Sequence, residues 1–174
     1  MKTNRIKNAL AVLTFASWTF LASKNASAAE TPAYAAHTGM QFGIGPDILL
    51  PLNGGAFGGG LDADLRIGIG VGPLILSPGL RLAGYAQSGR FIGMGIGTGR
   101  IILPIGPFAP YAIGGLGLGF LARPGDSGMG VIAGGGLMLH FGRPLALGLE
   151  MTFQTVTGTG LQALVLTPSI IFRL

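Results

Sequence analysis

The residues best able to do chemistry are acids and bases set at alternate positions of apolar runs. Asp62, Asp64 and Arg66 lie between Leu61 and Val71, and Ser77, Arg81 and Tyr85 share one face of the next run. His140, Glu150 and Gln154 follow the same rule later, with Asp47 and Arg173 in the first and last runs. Carboxylates beside arginine or histidine could serve acid–base catalysis. A Ser-His-acid hydrolase could use His140 with Glu150, but no serine is fixed near them by any spacing. His140 and His37 alone are too few ligands for a metal. The Gly-x-Gly-x-Gly runs are followed by no helix start and no Lys-Ser/Thr, so they form no phosphate loop. Arg90 and Arg123 could meet lipid phosphates at a rim, and a solvated rim explains them equally well. The simplest reading is an internal salt-bridge network of Asp47, Asp62, Asp64, Arg66, Arg81, Glu150 and Arg173.

Such a network needs elements that send charge one way and hydrocarbon the other. Leu61 to Val71 does this: odd positions are apolar, and even ones are charged or glycine. A period of two places the two sets on opposite faces of a strand. After Gly72-Pro73, the run from Leu76 to Tyr85 turns Leu76, Leu80 and Leu82 away from Ser77, Arg81 and Tyr85. The pair reads as a hairpin. With a two-residue turn, partner numbers sum to 145 and Asp64 faces Arg81.

The chain has 174 residues, enough for one domain. Its start reads as a cleavable export signal over residues 1–28. Lys2, Arg5 and Lys7 precede an apolar stretch from Ala9 to Ala22, and Ala26-Ser27-Ala28 suits signal peptidase. Residues 29–37 read as a periplasmic leader, and 38–174 as the folded domain. Four of the eleven basic residues lie before residue 29, leaving seven arginines against six acids. The high pI therefore marks the signal, and no basic tract remains to hold nucleic acid. The chain has no cysteine, which excludes disulfides, thiolate metal sites and a lipidated cysteine. No cofactor is implied. Only 10% of residues are charged and 33 are glycine, so an exported chain of this kind belongs in a membrane.

Residues 101–122 carry no charge but hold Pro104, Pro107, Pro110 and five glycines, which no helix would tolerate. In hydrocarbon the alternative to helices is a closed barrel. Eight strand-like runs follow the leader, at about 39–50, 58–71, 75–86, 91–103, 109–121, 129–141, 145–155 and 162–174. The connections after the second, fourth and sixth contain Gly72-Pro73, Gly106-Pro107 and Gly142-Arg143-Pro144, and read as periplasmic turns. The other connections hold the polar residues and read as short external loops.

Aromatic residues mark both interfaces: Phe57, Tyr85, Phe91, Phe120 and Phe153 at the outer ends, Phe42, Phe108, Tyr111, Phe141 and Phe172 at the inner. From Phe141 to Phe153 a strand tilted by about 40° rises roughly 30 Å, close to the apolar band with its girdles. Eight strands enclose room for side chains and no open pore. The glycine columns Gly93, Gly95, Gly97, Gly99 and Gly115, Gly117, Gly119 are read as interior. They either relieve crowding beside large side chains or leave a water-filled groove.

The eight runs, the segment Phe108-Ala-Pro-Tyr-Ala-Ile-Gly-Gly-Leu-Gly-Leu-Gly-Phe120 and the closing strand resemble the small eight-stranded outer-membrane barrels of Gram-negative bacteria, the OmpA/OmpX-type group. The resemblance covers residues 38–174. It implies an all-β, antiparallel, up-and-down transmembrane barrel in the cell outer membrane, surrounded by lipid and lipopolysaccharide. It also implies recognition of residues 162–174 by the barrel assembly machinery, although Leu174 stands where the group usually ends in Phe. The function expected is a structural, envelope or surface role without catalysis. A narrow channel or carrier for a small molecule, and a lipid-modifying enzyme, are the alternatives.

Overall fold

The computed structural model describes residues 37–122, 125–141 and 144–174. The expected signal, residues 29–36 of the leader, Arg123 and Arg143 lie outside the described residues. Eight strands follow in order: β1 (Gly39–Pro51), β2 (Gly58–Val71), β3 (Leu74–Gln87), β4 (Arg90–Ile102), β5 (Phe108–Leu121), β6 (Ser127–His140), β7 (Leu145–Val156) and β8 (Leu161–Arg173). Each is antiparallel to the next, and β8 returns to pair with β1, closing an up-and-down barrel. Every strand begins and ends within two residues of the alternation seen in the sequence.

The turns explain the register. Val71 pairs with Leu74 and Asp64 with Arg81, so Gly72-Pro73 is a two-residue hairpin turn. Gly72 has φ +60°, and Pro73 can supply only a negative φ, which is the type II′ pattern with glycine first. Ile105 and Phe108 exchange two backbone hydrogen bonds around Gly106-Pro107, where Gly106 has φ +57°. The same device closes two hairpins on one end of the barrel.

The pleat sorts the side chains. Leu61, Leu65, Ile67 and Ile69 are exposed on the outside, while Asp62, Asp64 and Arg66 between them are buried. The interior is filled in layers. Ile75, Ile102, Ala109, Met138, Ala146 and Ile171 form an apolar layer near the Gly-Pro turns. Leu49, Tyr85, Ile92, Met94, Ile96 and Leu121 belong to a larger one toward the other end. The charged residues lie between the two.

Two sequence expectations are corrected here. Gly93, Gly95, Gly97 and Gly99 face outward, because the bulky set of β4 (Ile92, Met94, Ile96, Thr98, Arg100 and Ile102) takes the interior. Gly115, Gly117 and Gly119 do face inward, and they are tight. A Cβ on Gly115 would lie 2.8 Å from methyl groups of Ile96 and Ile132, and one on Gly117 would strike the Gly95 carbonyl. These glycines admit neighbouring side chains and backbone, so crowding, not a groove, explains them. Gly117→Ala is therefore expected to cost about 1–3 kcal/mol by overpacking. Gly99→Ala, whose Cβ would meet nothing within 4 Å, is expected to be neutral or to stabilise by up to about 1 kcal/mol. Urea unfolding of the two variants in vesicles checks the contrast, and equal losses would contradict the assigned faces.

The other correction concerns the rings. Tyr85 and Tyr111 are not girdle residues: both point inward, Tyr85 fully buried and Tyr111 half-buried. Each hydroxyl finds a polar partner there, as a buried phenol requires. Phe57, Phe91, Phe108, Phe120, Phe141 and Phe172 are exposed on the outside, and Phe153 is half-buried on the outward face of β7. Phe91 and Phe120 touch, with ring centroids 6.0 Å apart.

Candidate functional site

Seven of the eight strands contribute to the polar layer of the lumen. Arg81 of β3 reaches across to Glu150 of β7, Nη1 to Oε1 2.5 Å, and its Nε lies 3.1 Å from Asp62 of β2. Glu150 also takes Arg100 of β4 at 3.4 Å and accepts a hydrogen bond from the Tyr111 hydroxyl of β5 at 2.8 Å. Arg100 continues to Asp64 at 3.0 Å, and Asp64 to Arg66 at 2.9 Å. The Arg66 Nε donates to Gln41 of β1 at 2.9 Å. Charges thus alternate in one chain, Asp62–Arg81–Glu150–Arg100–Asp64–Arg66, that braces opposite walls of the barrel.

Asp64 and Arg81 are register partners, as the turn length predicts, yet they form no direct bridge. Arg81 spends its guanidinium on Asp62 and Glu150, and Asp64 on Arg66 and Arg100. Asp47 lies in the same layer, where its Oδ1 accepts a hydrogen bond from the Thr167 hydroxyl of β8. Arg173 is different: it stands half-buried at the end of β8 beside Gly39, at the mouth and not in the central layer.

Arg100 is the participant that sequence reasoning missed. It is 2% exposed, bridges two acids and lies with its guanidinium carbon 5.7 Å from the Tyr111 ring centre. Treating the β4 glycines as interior sent Arg100 outward. The cost of a charge facing lipid, about 2–4 kcal/mol, was the available signal that the strand must be turned over. Gln41, Tyr111 and Thr167 carried no such signal, since a neutral polar residue is tolerated on either face near an interface.

At the mouth, His37 folds under the barrel. Its backbone carbonyl packs so closely on Gly68 that any Cβ there would collide with it. Its Nδ1 lies 3.1 Å from Nε2 of His140, with ring centroids 3.8 Å apart and the rings nearly perpendicular. Burial first, then the neighbouring His140 and Arg66, push the His37 imidazole down to about 3 from 6.5. Released, that ring would take a proton near 6.5, so the undocked form binds more protons between the two values. Docking is therefore strongest above pH 6.5 and weakens as pH falls toward 3. NMR titration is expected to find His37 still neutral at pH about 5. A midpoint near 6.5 would place the ring in solvent.

Among the described residues, no group of three His, Cys, Asp or Glu side chains could hold a metal ion. The interior carboxylates and guanidiniums are engaged chiefly with one another, which is the geometry of a brace.

In fold this is a small eight-stranded barrel of the outer-membrane type. No protein-family model matches the chain, and neither does any curated protein. Among solved structures it is similar to Ail, the attachment invasion locus protein of Yersinia pestis, with a TM-score of 0.57 and 12% identity over 79% of this chain and 99% of that one. It is also similar to Neisserial surface protein A, with a TM-score of 0.53 and 10% identity over 78% and 96% of the two chains. At these identities the likeness is one of fold.

Proposed function

We propose that the protein is an integral outer-membrane barrel whose role is structural, in the envelope or at its surface, without catalysis. The observation that carries this reading is the inverted distribution of charge: Asp62, Asp64, Arg66, Arg81, Arg100 and Glu150 are buried, while Leu116, Leu118, Leu149 and Met151 stand on the outside. That surface is stable only against lipid. The fold shared with Ail and Neisserial surface protein A supports the outer membrane as its location. Lipid and lipopolysaccharide are then its surroundings. The outward Ile170 and Phe172 of β8 support assembly through residues 162–174.

Cell fractionation with gel mobility tests the proposal. The protein is expected in the outer-membrane fraction, with a folded band on SDS gels that shifts on boiling. A soluble fraction with unchanged mobility and a helical spectrum would contradict it. The apolar layers above and below the charged one support a sealed interior over a channel. Planar bilayers containing the protein are therefore expected to show no ionic conductance, and steady unitary currents would instead establish transport.

A further inference from the structure

The closing seam of the barrel is interrupted on its outer face. β1 and β8 pair from Gln41↔Arg173 to Ile44↔Ile170 and again from Ile48↔Leu166, with no paired residues between. Pro46 and Pro168 fall in this gap, and at the register of the flanking pairs they stand opposite one another. Neither has an N–H to give, so the ladder cannot form there. The two strands stay together from within, where the Thr167 hydroxyl bonds the Asp47 carboxylate across the gap. The β2–β3 ladder has a shorter break, where Ile67 and Gly68 stand opposite Pro78 and Ser77, and β4, β5, β6 and β7 pair with their neighbours without one.

Over the gap lies a groove of about 390 Å³, walled by Ile44, Pro46, Leu61, Leu147, Pro168 and Ile170. Its floor is thin. Gly45 has no room for a side chain, since a Cβ would strike the Pro168 carbonyl, and the Gly148 position is crowded by the Ser169 hydroxyl. Ser169 supplies the one polar side chain of the lining, and no charged group lines it.

We propose that this groove holds one hydrocarbon chain of a bilayer lipid. The inference rests on the membrane reading above, because the groove opens onto the surface assigned to lipid. Its chemistry selects the occupant. A polypeptide strand adding to the seam would need backbone donors that the two prolines remove. A headgroup would need a cation or several hydroxyls, and the walls offer neither. A flexible apolar chain needs only shape, and the apolar groove over the missing rung offers it.

The test is lipid retention. The protein is folded into vesicles of phosphatidylethanolamine and phosphatidylglycerol, extracted in mild detergent, and weighed by native mass spectrometry. One phospholipid per barrel is expected. Ile44→Trp and Leu147→Trp, each filling the groove from a different wall, are expected to lower its retention several-fold. Leu80→Trp, outward on β3 and away from the groove, is expected to leave it unchanged. Insertion without a retained lipid, or equal loss in all three variants, overturns the groove alone. A dimer broken by Ile44→Trp would assign the surface to a second copy and overturn it too. A chain that never enters vesicles overturns the membrane reading as well.

Discussion

Arg81→Ala is expected to destabilise the barrel by about 3–5 kcal/mol, the usual cost of breaking a buried ion pair by removing one partner. Arg81 is 3% exposed and is held between Asp62 and Glu150. Without it two buried carboxylates each lose an ion pair. Glu150 would keep Arg100, but Asp62 would keep no cation among the bridges seen here. Arg90, exposed at the start of β4, provides the control: Arg90→Ala should change stability by no more than about 0.5 kcal/mol. Equilibrium unfolding in urea with the protein folded in vesicles measures both. Equal effects would mean that the charged layer does not brace the walls.

The second large effect comes from the opposite face. Leu116 sits near the middle of β5, points outward and is 61% exposed. Leu116→Arg should therefore cost about 2–4 kcal/mol, the penalty for a cation facing lipid at the midplane. The same change at Leu174, beyond the last strand, should cost about 0–1 kcal/mol, as near an interface. In a water-soluble protein the order would be lost, since an arginine on an exposed position is normally harmless. The pair of variants separates lipid from water as the solvent of the outer surface.

The fold was legible because hydrocarbon outside and charge inside impose a period of two, and because turns containing glycine and proline recur at every second connection. The register of β2 and β3 was legible too, since a two-residue turn leaves one way to align Asp64 with Arg81. Pairing between charges was not. Arg81 is long enough to pass its register partner and cross the lumen to Glu150, so Cα neighbours do not determine ion pairs. The face of β4 was misread for a physical reason. Glycine gives no hydropathy signal, and four of them in alternation left only Arg100 and Thr98 to say which side was interior. Tyr85 and Tyr111 were misread for a related one: a tyrosine satisfies either an interface or a buried polar partner, and its sequence context looks the same.

Along every strand, outward positions are expected to meet lipid and inward ones are not. Trp18 is the chain's single tryptophan and lies outside the described residues. With Trp18 absent or replaced, one tryptophan at a time can be placed along β5 and read by its quenching from lipids brominated in their chains. At Ala112, Leu116 and Leu118 quenching should be strong, and at Ile113 and Leu121 weak, so that the signal alternates with the pleat. Uniform quenching, or strong quenching at the inward set, would contradict the account.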